Sequence, residues 1–304
     1  MQKSSLINMM FDNVRLQADE YFPSYIYRLM QFANFMSASH FLSLLRISSS
    51  RQIGETLPRW AVMLATEHYG EDQFEGIIDH HLLGQYWRCF VAKEKFHHYV
   101  EQQQHKRATG RVLFNAEKTL LPFQTIKLCP LCCEESVQRY GVGIFKARHQ
   151  APTAFICQEH EHVLYQRPVS EFKGFEFSQA FFDQNAYYKP KITIFHRWLD
   201  FETNRLFTMT NANYREEVLL HKRVFMESSF YSHRRCSTSV NLNRQWGKAL
   251  ARYLAVLYPH AKNDAGQSSL NSAFKASQIM DVRTATHPLL YLLFKFFYLF
   301  EFKA

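Results

Sequence analysis

The chain has 304 residues, 47% of them hydrophobic and 16% aromatic, with 28 Phe against only 10 Gly and a formal net charge of +9. That apolar content is enough to bury a core and excludes a disordered chain, and the length allows two or three domains or one large one. Neither GxGxxG nor GxxxxGK followed by Ser or Thr occurs, which excludes the common nucleotide-cradling loops; the basic excess suits a polyanionic partner and an ordinary basic soluble protein about equally.

The opening residues, MQKSSLINMMFDNVRLQADE, hold no apolar segment and no small-residue cleavage site, so no secretory signal is read there. Over residues 22–33, FPSYIYRLMQFA, the three- and four-residue spacing puts Phe22, Tyr25, Ile26, Leu29, Met30 and Ala33 on one helical face, with Pro23 in the tolerant first turn. Asn34, Phe35 and Met36 read as a short turn. Ser37 or Ser39 would then cap a second helix in ASHFLSLLR. Such a pair is helix-turn-helix-like, and is open both to DNA reading and to an ordinary helical hairpin of a core. Residues 57–69 predict a third helix with Gly70 as its stop, and helical patterning continues over 71–104. The stretch 105–111, HKRATGR, reads as a loop.

That loop leads into CPLCCEESVQRYGVGIFKARHQAPTAFICQEH. Cys129 and Cys132 form a Cys-x-x-Cys knuckle stiffened by Pro130, and after 24 intervening residues Cys157 and His160 form a second pair at the same spacing. Zinc takes four such ligands in a tetrahedron, and a site filled by four protein ligands leaves no position for a reacting water. The spacing therefore predicts a structural Zn2+ on Cys129, Cys132, Cys157 and His160. Cys133 and His162 stand beside the set as competing ligands.

Beyond the cluster, KPKITIF at 189–195 has the β-branched alternation of a strand. Helices are read in HRWLDFETNRLF, over 214–225, and over 243–258. In the last of these Trp246, Leu250, Tyr253, Leu254 and Leu257 share a face and Pro259 ends it. NDAGQSS at 263–269 is a loop. PLLYLLFKFFYLFEF at 288–302 is interrupted by Lys295 and Glu301 and is shorter than the ~20 residues of a membrane span, so it reads as a buried helix. With no signal and no span, the expected setting is the cytoplasm, where thiols stay reduced; Cys89 and Cys236 then read as core or loop residues. His80–His81 and His97–His98, the latter with Glu94 one turn away, are either boundary histidines or the start of a metal or acid–base site. Glu134–Glu135 and Glu216–Glu217 read as solvated helix faces. Lys106, Arg107 and Arg111, Lys146 and Arg148, Lys222 and Arg223, and Arg234 and Arg235 are dispersed cations able to hold phosphates.

The CPLC knuckle, the Arg139-Tyr140-Gly141 stretch, the His149-Gln150 pair, and Cys157-x-x-His160 followed by Leu164 together resemble the TniQ/TnsD family of target-selection proteins from bacterial transposons. ADEYFPSYIYRLMQFANFMSASHFLSLL is similar to that family's opening, with Glu20, Ser24, Arg28, Leu29 and Asn34 at the matching positions, and THPLLYLLFKFFYLF from Thr286 is similar to its late apolar helix. The sequence departs from the pattern in lacking a Trp before the His-Gln pair, where Phe145 stands nearby. Cys89, Cys133 and Cys236 do not make a second knuckle. It also ends soon after the apolar helix, where longer TnsD-like members continue.

The helical patterning and the knuckles together predict a mainly α protein, with helical N- and C-terminal regions around a small zinc-binding module. The regions are a helical domain with the helix-turn-helix-like unit over 1–122, the module over 123–168 and a mostly helical domain over 169–304. The resemblance implies an adaptor without catalysis, linking target DNA or a CRISPR guide-RNA effector complex to the transposon's AAA+ ATPase and through it to the transposase, with no membrane role and a homodimer left open. Two other classes stand beside it: a sequence-specific DNA-binding transcription regulator built on the N-terminal helical pair, and a metal-dependent nuclease built on the histidine pairs.

Overall fold

Apolar residues at helical spacing, punctuated by Pro and Ser or Thr caps, make this chain mainly α. The computed structural model describes residues 2–33, 38–45, 57–104, 113–114, 116–120, 123–169, 187–232, 237–259 and 274–302. In order the elements are α1 (Gln2–Asn13), α2 (Phe22–Phe32), α3 (Ala38–Leu44), α4 (Arg59–His68), α5 (Glu71–Gly76), α6 (Gly84–Arg88), α7 (Lys93–Gln104), α8 (Glu117–Leu120), β1 (Thr125–Leu128), α9 (Pro130–Tyr140) and β2 (Tyr165–Pro168). There follow α10 (Ile194–Thr208), α11 (Asn211–Glu227), β3 (Tyr231–Ser232), β4 (Ser237–Thr238), α12 (Val240–Leu257), α13 (Ala276–Ile279) and α14 (Pro288–Phe296). Strands β1 and β2 pair antiparallel, with Thr125 opposite Pro168 and Leu128 opposite Tyr165.

Helix α6 and the turn after it join the two helical halves. Tyr86 stacks on Phe207 of α10 at 5.8 Å, and Phe90 meets Tyr214 of α11 at 5.9 Å and Tyr291 of α14 at 5.6 Å. Trp87 faces His287, the N-cap of α14. Buried apolar residues from α2 to α14 therefore form one continuous cluster, and aromatic ring contacts of this kind carry most of the packing in a Phe-rich core.

Three expectations are corrected. The stretch 71–104 is not one run of helix. A π turn at Ile77–His81 follows α5, and Leu83 adopts a left-handed conformation, φ 62°, before α6. Gly84 is required there, because a Cβ would lie 2.7 Å from the Ile78 carbonyl oxygen and from Asp79 Oδ1. Gly70 follows the C-cap Tyr69 and is the N-cap of α5, at φ −68°, so it does not stop α4 by the left-handed route. The strand over 189–195 is absent: Thr193 accepts from His196 N in a reciprocal capping box that opens α10, and Ile194 is 83% exposed. Pairing with β2 stops at an isolated bridge, Tyr188 opposite Gln166, and the Thr193 capping box opens a helix in place of a longer ladder.

The other helices follow their spacing. The predicted 243–258 helix is α12, capped by Ser239, with Trp246, Leu250, Tyr253, Leu254 and Leu257 all buried. The 288–302 helix is α14 plus a π turn at Phe297–Glu301. Helix α2 is buried at every position from Phe22 to Met30, not on one face. The turn at Asn34, Phe35 and Met36, the Ser37 cap, the loops at 105–111 and 263–269, Cys236 and Arg234–Arg235 lie outside the described residues.

Candidate metal centre and its polar frame

Strand β1 ends one residue before Cys129, and Pro130 opens α9, so the first knuckle sits where a strand turns into a helix N-terminus. Cys133 N donates to Cys129 O at 3.0 Å, closing that turn. The second knuckle is a turn before β2, held by Cys157 N donating to His162 O at 2.8 Å. Pairing β1 with β2 brings the two turns face to face, although 24 residues separate them in sequence.

The Sγ atoms of Cys129, Cys132 and Cys157 and a ring nitrogen of His160 all lie within 4.8 Å of one another. Cys132 Sγ is 3.6 Å from Cys157 Sγ, and His160 Nδ1 is 3.7 Å from Cys129 Sγ, 3.6 Å from Cys157 Sγ and 3.2 Å from Cys132 Sγ. A tetrahedral zinc site has S···S edges of about 3.8 Å and S···N edges of about 3.6 Å. Three of these distances lie close to those edges and the Cys132–His160 one is shorter, and the four donors could hold a metal ion. Hydrogen bonds from the other two thiols, with His149 close by, hold the Cys157 thiol well below its ordinary pKa, while Cys132, donating within the same cluster, is pushed up. A bound dication relieves such competition, because it takes every thiol as thiolate.

The competing ligands go elsewhere. Cys133 is buried outside the cluster, and burial pushes its thiol up to about 11. His162 Nδ1 lies 2.9 Å from the Val163 carbonyl oxygen. Of the carboxylates read as solvated, Glu135 is not idle: its Oε1 lies 2.9 Å from His160 Nε2, the arrangement that orients a ligating histidine. Glu217 is likewise ion-paired, with Arg205 at 2.5 Å and Lys295 at 3.2 Å. Neither role is visible without the fold.

A polar frame ties the module to the helices. Arg28 makes a bidentate pair with Glu20, Nε to Oε1 at 3.0 Å and Nη2 to Oε2 at 2.7 Å, and both side chains are buried. Ser24 Oγ accepts from Phe145 N at 2.9 Å, Tyr21 N donates to Phe145 O at 2.7 Å, and Ala147 N donates to Asp19 O at 2.6 Å. Ser24, in the first turn of α2, and the backbone just before the helix are thus fasteners to the segment between the knuckles. Gln150 imitates a strand, accepting from Lys127 N at 3.0 Å and donating to Lys127 O at 2.9 Å. Lys127 is buried, and its Nζ donates to the carbonyls of Ala151, Pro152 and Ala154 at 2.7, 3.1 and 2.8 Å. Gly141, at φ 73°, closes α9 in the left-handed conformation that glycine tolerates.

The histidine pairs do not converge. His81 Nδ1 lies 2.7 Å from Glu20 O, and His97 and His98 lie on the exposed side of α7 beside Glu101. Among the described residues neither pair joins a donor cluster. Several dispersed cations turn inward. Lys146 pairs with Glu159, Arg148 lies 4.8 Å over the Phe207 ring, and Lys222 donates to Asp281 O, Thr284 O and Thr286 Oγ1 at 2.9–3.1 Å. Cys89 is a core residue, as expected.

Fold and site together define a mainly helical protein in which two knuckles converge on a closed cluster of three cysteines and one histidine. No curated protein sequence matches the chain. The TniQ family model matches residues 13–164, half of the chain, and the chain belongs to the TniQ family. That membership carries a general role in selecting the targets of transposition. The matched segment contains the Glu20–Arg28 pair and both knuckles; α10 to α14 lie beyond it. No helix among the described residues is long and apolar enough to cross a membrane.

Proposed function

We propose that the chain is a non-catalytic adaptor that links target DNA or a CRISPR guide-RNA effector complex to the AAA+ ATPase of a transposition system, and through that ATPase to the transposase. In this reading Cys129, Cys132, Cys157 and His160 hold a structural Zn2+, and the three regions 1–122, 123–168 and 169–304 act as one docking body. The observation that carries it is the closed donor set. Four protein donors at tetrahedral edge distances occupy every position of a four-coordinate ion. When bound, the ion supplies a cross-link between two distant turns rather than a reactive water. This chain's own residues do the rest: Glu135 orients His160, and Glu20, Ser24 and Arg28 fasten the clamped segment to α2.

Metal analysis of the purified chain, never exposed to chelator, should return one zinc per chain. Co-purification with the ATPase from the same transposon should retain the complex and should fail for C132S/C157S. A metal-free chain of unchanged fold would remove the zinc assignment. Tight, site-specific duplex binding with no affinity for the ATPase would favour the transcription regulator instead, and magnesium-dependent cleavage lost on H97A would favour the nuclease.

A further inference from the structure

The cations Arg28, Lys127, Lys146, Arg205, Lys222 and Lys295 all have partners inside the fold. Four of them pair with carboxylates and Lys127 and Lys222 are turned onto neutral oxygens, so most of the net charge of +9 is carried by other residues. One stretch carries most of it. Residues 228–280 contain seven Lys and Arg (234, 235, 244, 248, 252, 262 and 275) against the single acid Asp264, a net of +6.

Helix α12 lies in the middle of that stretch and has no acidic residue. Its apolar face is buried through Leu242, Trp246, Leu250, Tyr253, Leu254 and Leu257, and Trp246 Nε1 donates to Phe274 O at 2.8 Å. The rotation of the helix is thereby fixed, and Arg244, Lys248 and Arg252 face solvent at four-residue intervals. Each step is about 6 Å along the helix, so the row is about 12 Å long. A fourth cation joins its start: Ala276 N donates to Asn243 Oδ1 at 3.3 Å, which brings exposed Lys275 beside the Arg244 turn. Among the described residues, no carboxylate pairs with Arg244, Lys248 or Lys275, while Arg252 pairs with Glu301. Cations without a carboxylate partner, here Arg244, Lys248 and Lys275, repel one another on and beside a rigid helix and are stabilised when they meet a row of phosphates, whose condensed counterions are released.

We propose that the outer face of α12, Arg244–Lys248–Arg252 with Lys275, is a docking surface for the phosphate backbone of duplex DNA. Duplex is favoured over single-stranded nucleic acid because α12 exposes only Val240, Asn241, Ala255 and Val256 around the cations. It therefore lacks the exposed aromatic platform on which unpaired bases stack. Phosphate contacts position without reading sequence, so the surface gives a target-selection protein a grip on DNA independent of base identity. The inference rests on the adaptor reading only for the biological source of the DNA. Loss of ATPase binding leaves the surface intact, and failure of the surface leaves an adaptor that reaches its target through another complex.

The test is fluorescence anisotropy of a labelled 30-bp duplex of arbitrary sequence, from 50 to 200 mM salt, with a matched RNA duplex and single-stranded DNA as further arms. R244E/K248E should bind the duplex at least tenfold more weakly than the starting protein. Its log–log salt slope should be shallower by about 1.8, the value for two lost phosphate contacts. K93E/K95E, the same charge change on exposed α7, should bind within threefold of the starting protein. Circular dichroism melting and zinc content should be the same in all three. Equal weakening in both variants, weakening in neither, or a tenfold preference for RNA or single-stranded DNA would overturn the proposal.

Discussion

The module over residues 123–168 and the helical half from α10 to α14 solve the same problem in different ways. The C-terminal half packs ring against ring: Trp246 meets Phe294 at 5.1 Å and Phe297 at 5.6 Å, and Phe225 meets Phe294 and Tyr298 at 5.4 Å each. The module has two four-residue strands, one helix and a long irregular segment, so much of its backbone finds no helical or ladder partner. It gathers the Cys and His donors in one cluster, and is held by Gln150 acting as a strand mimic and by Lys127 collecting three carbonyls. The lesson is that irregular backbone is kept in place by polar and ionic fastening, and regular helices by apolar burial. The helical half uses polar fastening as well, where Lys222 gathers the irregular turn at 281–286 and where Arg205 and Lys295 pair with Glu202 and Glu217.

Breaking the metal clamp should separate the two regions most sharply. With the proposed zinc bound, C157S should lose it and the module should become the first site of proteolysis, with the loss approaching the ~10 kcal/mol that thiolate–zinc binding contributes to a small module. Limited proteolysis with mass mapping checks this, and initial cleavage within 194–257 instead would erase the contrast.

The next effect is smaller and lies where the module meets α2. R28A leaves the buried Glu20 carboxylate without its partner and should cost about 3–5 kcal/mol in urea unfolding. E20Q/R28M, which removes both charges, should recover most of that loss. An R28A cost under about 1 kcal/mol would show that the fastening is incidental.

The smallest effect sharpens the aromatic side. Burial between Trp87 and Phe114 pushes His287 down to about 3. Its folded value lies below its unfolded one, so the unfolded chain binds the extra proton between the two. The stability this contributes is complete above pH 6.5 and is lost as pH falls towards 3. At pH 5 the share of His287 is about 2 kcal/mol. H287N, which can keep the cap on Leu289 N, should show that much less acid sensitivity than the starting protein between pH 7 and pH 5, a difference that urea midpoints measure directly. Identical acid sensitivity would show that the histidine is charged or solvated in the fold.

What could be read along the chain were features whose cause is local. The three- and four-residue apolar spacing of α12, the Pro-led entry to α14 and the x-x spacing of both knuckles depend on a few neighbouring residues, so the helical class and the four donors were legible. Features with distant causes were not. Residues 189–195 alternate like a strand, yet the pairing with β2 stops at Tyr188, opposite Gln166, and the Thr193 cap takes over. Glu135 reads as a solvated carboxylate, yet His160, 25 residues away, points a ring nitrogen at it. Lys127 and Lys222 count as surface charge in the composition, but the folded chain turns them inward onto carbonyl oxygens and leaves Arg244 and Lys248 outside. Burial and long-range pairing depend on which segments meet, and that is settled only when the whole core closes.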